Sequence, residues 1–438
     1  MKTTRRLVAL VLSVLMLLSV CSFASAAEGE TITLRFWAHW GSEQRRPTIE
    51  KICNAFNEKY AEQGVQVEYV YVPYGDIETK MLASVTAGNP PAVVITAIED
   101  VASKAMRNQA QNITEYLAPD TQSKFYEKYW DMVTWNGGVY AIPFNTDTRL
   151  LYYNKDMFKT AGVSVDEIVD WASFQQACVK LDEALNGTGN YIASFYPTLG
   201  NFGFDTIAMA NGSEGIYDNA LNPSQVNIAC DANVEALEFM KWFADRYGQD
   251  TLNQLDSANA GGSQDLFLSG RVAIYGQTCN YLATIAKYND EAKVDYGCFA
   301  LPAGPSANGV TGAWGGGFVC TVPFGTEHPA EATLLAEFLA TEGAAIWGAE
   351  QLDVMCAIEA NENPVMSQYV GWDEVKDLMN YTKATRRHIY GGSADSYKND
   401  AVNKIMKTFE SDDCRAVLEE AAQKITNAIE EEAFIFGE

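Results

Sequence analysis

The groups in this 438-residue chain that could do covalent chemistry are three histidines, the cysteines and an excess of carboxylates. His39, His328 and His388 stand far apart, no G-x-S-x-G follows a strand-like run, and no cysteine has an activating neighbour, so a nucleophilic triad has no local signature. The eight cysteines after Cys21 (Cys53, Cys178, Cys230, Cys279, Cys298, Cys320, Cys356 and Cys414) are single, without C-x-x-C or histidine companions, which speaks against zinc. Several lie in apolar runs such as GCFAL and FVCTV, where a buried free thiol is expected. Gly315-Gly316-Gly317 lacks the Gly-Lys-Ser/Thr ending of a phosphate cradle. H-E-x-x-H and EF-hand spacings are absent, so no catalytic residue, metal or cofactor is expected. The acidic pairs Glu99-Asp100, Asp182-Glu183 and Asp412-Asp413 are expected at the solvated surface. A glycosidase needs two carboxylates with no fixed spacing, so a secreted carbohydrate-active enzyme stays open as an alternative.

Aromatic residues in loops at strand ends point elsewhere. Trp40 follows the first strand-like run, Tyr74 the second, Trp135 and Tyr140 flank a Gly-Gly turn, and Trp314 precedes the glycine triplet. Phe202 and Phe204 alternate with Gly203 in a long polar loop. Aromatic faces beside a few polar side chains suit a sugar, whose C–H face stacks while its hydroxyls are fixed by hydrogen bonds. The alternative for each is half-buried packing. Beside Trp314 the bare glycine backbone is expected to permit close approach of a ligand.

Composition bounds the class. Such a length exceeds a single core, so two domains are expected. Thirty-one basic against 57 acidic residues give a net charge of −26, which repels nucleic acid and anionic membranes. Lys2, Arg5 and Arg6, an apolar stretch over 7–20 and Ala24-Ser25-Ala26 read as a secretory signal over 1–26. Lipidation at Cys21 is the alternative, with Val20 where a small residue is expected. Either outcome puts the protein outside the cytoplasmic membrane.

These residues need elements to position them. Strands are expected over 31–37 (TITLRFW), 66–73 and 92–96, with helices over 48–60 and 76–87 between them, a βαβ series with a parallel-rich sheet and function at its carboxyl ends. Residues 135–158 read as strand, break at Pro143 and strand, a chain crossing between lobes, followed by helix-start chemistry at Asn154 and Asp156. Further helices are expected over 171–185, 232–247, 329–341 and most of 400–432. A helix end at 265–268 and strands over 270–276, 296–302 and 313–323 complete the reading.

The order of four pieces resembles the family 1 extracellular solute-binding proteins, the carbohydrate-capturing components of ABC-type importers. The pieces are FW with a helix ending FNEKY, KMLASVTAGNPPAVVI, GGVYAIPFNTDTRLLYYNKDMFKTAGV, and FLSGRVAIYG with WGGGFVCTVP downstream. Ala92 stands where that family usually has Asp, and Ala273-Ile274 where Ala-Met is common. The resemblance implies an α/β, two-lobed periplasmic-binding-protein-like fold of type II, its lobes interleaved and joined by crossing strands near 141–145, 296–299 and 353–357. The lobes would be 27–142 plus 299–352 and 143–298 plus 353–438. It further implies a non-catalytic monomer that closes on a mono- or oligosaccharide and meets membrane permease subunits, with contacts from Trp40, Glu43, Tyr74, Asn145, Asp147, Asn201, Phe202, Gln277 and Trp314. Another polar solute is the remaining alternative for the ligand.

Overall fold

Alternating and fully apolar runs become the first three strands of the computed structural model, which describes residues 31–436. They are β1 (Ile32–Ala38), β2 (Val65–Tyr71) and β3 (Val93–Ala97). The expected export segment and Cys21 lie outside the described residues. Helices Arg46–Tyr60 and Tyr74–Thr86 connect the three strands and bury Ile49, Ile52, Cys53 and Phe56, and Ile77 and Met81, at helical spacing. Such crossovers return the chain in the same direction, and β1 pairs in parallel with both β2 and β3. The remaining strands are β4 (Thr134–Trp135), β5 (Gly138–Val139), β6 (Ala141–Thr146), β7 (Arg149–Asn154), β8 (Ile274–Thr278), β9 (Tyr296–Phe299), β10 (Ala313–Gly315), β11 (Gly317–Thr321), β12 (Val354–Met355) and β13 (Thr382–Ala384).

A six-stranded sheet runs β12-β6-β11-β3-β1-β2, with β11 antiparallel to its neighbours. A three-stranded sheet, β8-β7-β9, is antiparallel throughout, and the large sheet is mixed, so the parallel pairing expected of the βαβ series is confined to β1, β2 and β3. Each sheet has its own core. Phe36, Val93, Ile95, Ile142, Val319 and Trp347 belong to one, and Leu150, Tyr152, Phe174, Phe195, Phe243 and Ile274 to the other.

The chain changes sheet at places that differ from expectation. All of β6 and β12 lies in the large sheet and all of β9 in the small one. The first passage is therefore at Asp147-Thr148, beyond the expected 141–145, and a boundary after 142 divides β6. The second lies between Phe299 and Gly317, and the third beyond Met355.

Residues 313–323 form two strands rather than one. β10 pairs with β13, while β11 enters the large sheet. The glycines allow this split by admitting the protein's own backbone: a Cβ at Gly315 would lie 2.6 Å from the Asp147 carbonyl oxygen, and one at Gly317 2.4 Å from that of Asn145. The close approach expected of a ligand is thus made by the first passage itself.

Helix Trp171–Leu185 has the expected bounds and a capping box from Asp170 and Ser173. Helix Asp231–Ala258 outruns its expected end, kinked at Gly248 (φ 69°). Residues 265–268 form a turn, and the strand after it starts at Ile274. Asn154 caps helix Lys155–Ala161 by accepting from the Met157 amide at 3.0 Å, the helix-start role read for it.

Candidate functional site

Parallel strands leave their carboxyl ends at one edge, and the large sheet gathers side chains there. β1 ends at His39 and Trp40, β2 leads to Tyr74, β3 to Glu99 and Asp100, and β6 to Asn145 and Asp147. Antiparallel β11 brings Phe318 to the same edge, opposite Ala97 and Asn145. Tyr74 is 60% exposed, with His39 5.1 Å and Phe318 6.1 Å from its ring centre. Burial, then Arg45, hold His39 down at about 4, so its imidazole is neutral at ordinary pH.

The start of β7 faces this edge from the small sheet. Arg149 is buried, and Nη1 donates to Asp147 Oδ1 at 2.6 Å and to the Trp314 carbonyl at 2.7 Å, while Nε donates to the Asn201 carbonyl at 2.8 Å. Its guanidinium lies 3.9 Å from the centre of the Trp314 ring. Asp147 Oδ1 also accepts from the Gly316 amide at 2.9 Å, and Asn201 donates to Gln277 at 3.2 Å. Asp147, Asn201, Gln277 and Trp314 thus form one connected wall through Arg149.

Trp314 also lines a small cavity of about 40 Å³ together with Glu99, Tyr217, Arg386, Arg387, Asp395 and Lys398. That volume holds only a few waters, so a larger ligand requires its walls to part. The cavity borders both cores, because Glu99 follows β3 whereas Asp395 and Lys398 lie on helix Ala394–Met406. A chain of charges runs along it. Arg387 bonds Asp100 at 2.5 Å and Asp395 at 2.7 Å, and Lys398 bonds Asp395 at 2.9 Å and Asp205 at 2.6 Å. Glu99 has only a 3.5 Å contact to Arg387, and burial pushes its carboxyl up to about 7. Lys398 and Arg387 hold Asp395 down at about 2 against its burial.

The expectation that the acidic pairs are solvated is corrected here. Glu99 and Asp100 enter this half-buried chain, and Asp182 accepts from Tyr191, Tyr247, Arg246 and the Ser194 amide. Glu183, Asp412 and Asp413 are exposed as expected, Asp412 at 97%.

Two of the nine expected contact residues are core side chains. Trp40 is 1% exposed and stacks 4.2 Å from Trp347, and Phe202 is 4% exposed with its ring against Gly276. They support the site from behind. Asn145 is buried too, donating to Asp353 at 2.7 Å. Asp353 also accepts from Trp347 at 3.1 Å, and its Oδ1 has no partner among the described residues. Burial raises its carboxyl to about 6. Glu43 is exposed in the loop after β1. Sequence reasoning missed His39, Glu99, Arg149, Phe318, Asp353 and Arg387, of which only Arg149 carried a local signal, as a charge heading an apolar strand.

A second hollow of about 470 Å³ lies between helices Glu127–Val133 and Trp372–Met379. It is mostly apolar, and none of the nine residues lines it.

Two separate cores, a chain that passes repeatedly between them and a polar, aromatic cavity where they meet define a two-lobed binding protein. The family model for bacterial extracellular solute-binding proteins matches residues 40–346, and the chain belongs to that family. The maltodextrin-binding protein of Bacillus subtilis (strain 168) is 24% identical over 353 residues, 80% of this chain and 73% of that one. The structure of CpMnBP1 with mannotriose bound has a TM-score of 0.74 at 21% identity, covering 90% of this chain and all (100%) of that one. An ABC substrate-binding protein from Listeria monocytogenes, in complex with cycloalternan, has a TM-score of 0.73 at 17% identity, covering 91% and 98%. Both structures share the two-lobed α/β fold.

Proposed function

We propose that this protein is exported and captures a mono- or oligosaccharide between its lobes, which part to admit it at the Trp314 cavity, without chemistry, for delivery to the permease of an ABC importer. The observation that carries the reading is Trp314: one ring face rests on Arg149 and the residue lines the cavity beside Tyr217 and a set of carboxylates and guanidinium groups. An aromatic platform ringed by polar groups is what a sugar requires. The named ligands of the relatives, maltodextrin, mannotriose and cycloalternan, agree with it. The lobes move as the bodies around the two sheets, divided at Asp147-Thr148, between Phe299 and Gly317 and beyond Met355, as a monomer whose closed state the ligand favours.

A calorimetric screen against oligosaccharides of several lengths and linkages tests the proposal. Binding of at least one saccharide, recovered unhydrolysed, is expected. Tight binding of an amino acid or polyamine with no response to any saccharide overturns it. Turnover abolished by Glu99→Gln would instead establish the enzyme reading, which the raised Glu99 and the lowered Asp395 at one cavity keep specific.

A further inference from the structure

We propose that Arg149 is the positioning residue of the ligand wall, fixing the Trp314 ring so that one face is closed and the rest of the indole is offered to the cavity. This rests on the saccharide reading for its affinity arm alone. Arg149 is 6% exposed and heads β7, where its successors Leu150, Leu151 and Tyr152 are fully buried. A charge is costly there unless its geometry is used. Its Nε and Nη1 hydrogen bonds and its flat face all go to the wall: Asp147 in the first passage, the Asn201 carbonyl in the polar loop, and the carbonyl and ring of Trp314. The far edge of the same indole is held by Nε1 donating to Thr385 Oγ1 at 2.9 Å. The ring therefore has a floor and an anchor before any ligand arrives, and preorganisation of that kind lowers the ordering cost of binding. A lysine could pair with Asp147, but it has neither the flat face nor the fork that reaches Asn201 and Trp314 together.

The test compares wild type, Arg149→Lys, Arg149→Gln, Trp314→Ala and the Arg149→Lys/Trp314→Ala double variant, in the full chain. Thermal melting checks folding, near-UV circular dichroism taken as a difference against Trp314→Phe reads the ring, and calorimetry reads affinity for the saccharide found in the screen. Arg149→Lys is expected to flatten the Trp314 difference spectrum and to weaken binding by about tenfold or more, whereas in the Trp314→Ala background the same change is expected to cost no more than about threefold. Unchanged affinity in Arg149→Lys, or fully additive losses, overturns the proposal. If Arg149→Lys does not fold, Arg149→Gln carries the same comparison. If the wild type binds no saccharide, the proposed function fails by itself, and the difference spectrum still decides the role of Arg149: an unchanged Trp314 signal in both variants rejects it.

Discussion

Two aspartates, Asp353 deeply buried and Asp395 half-buried, are handled in opposite ways. Asp353, at the passage, is 2% exposed and has neutral donors, Asn145 and Trp347, with one oxygen left unpartnered. Burial dominates and lifts its carboxyl to about 6. Asp395, in the charge chain, meets Arg387 and Lys398 at 2.7 and 2.9 Å and is held at about 2. Partner charge and depth together decide whether a carboxylate supports or burdens the fold. The passage carries a charge that disfavours folding at neutral pH, whereas the cavity carries a network that favours it.

The sharpest way to break the contrast is to remove the central cation. Lys398→Met leaves Asp205 and Asp395 facing each other without their ammonium, and a loss on the order of 3–5 kcal/mol is expected in denaturant unfolding at pH 7.5. A loss below about 1 kcal/mol would make the network ornamental. The next effect has the opposite sign. The Asp353 carboxyl is raised above its ordinary 3.8, so stability falls as pH climbs from about 4 to about 6 and stays reduced above that. Asp353→Asn is expected to gain on the order of 2 kcal/mol at pH 7.5 and almost nothing at pH 3.5, measured by melting across pH. For Asp395 the contribution is present above 3.8 and fades as pH falls toward 2, so wild-type stability should decline again at the acid end. An effect of the same sign and similar size as at Asp353 is expected at Glu99, where burial outweighs the attraction of Arg387. Glu99→Gln should gain on the order of 2 kcal/mol above pH 7 and almost nothing below pH 4.5.

How much could be read beforehand follows the range of the interactions. Periodicity placed β1, β2 and β3 and the bounds of helix Trp171–Leu185, because apolar spacing and an Asp-x-x-Ser cap are local. Asn145 and Asp147 were legible because the 137–163 motif carries them in order, and Tyr74 and Trp314 because each is an aromatic beside a strand-like run. The charge chain was not, since Arg387 and Asp100 are 287 positions apart and either one alone looks like a surface residue. The burial of Trp40 was equally hidden, because the packing of Trp347 on its ring is a tertiary event. Gly315 to Gly317 were noticed for the right property, close backbone approach, with the wrong neighbour in mind.

The account stands on the cavity wall at Trp314. Calorimetric titration of wild type and Trp314→Ala with the saccharide that the wild type binds tests it directly. Loss of the platform is predicted to weaken binding by about 1–3 kcal/mol with melting behaviour preserved. Equal affinity in the two proteins would place the ligand elsewhere and return Trp314 to packing.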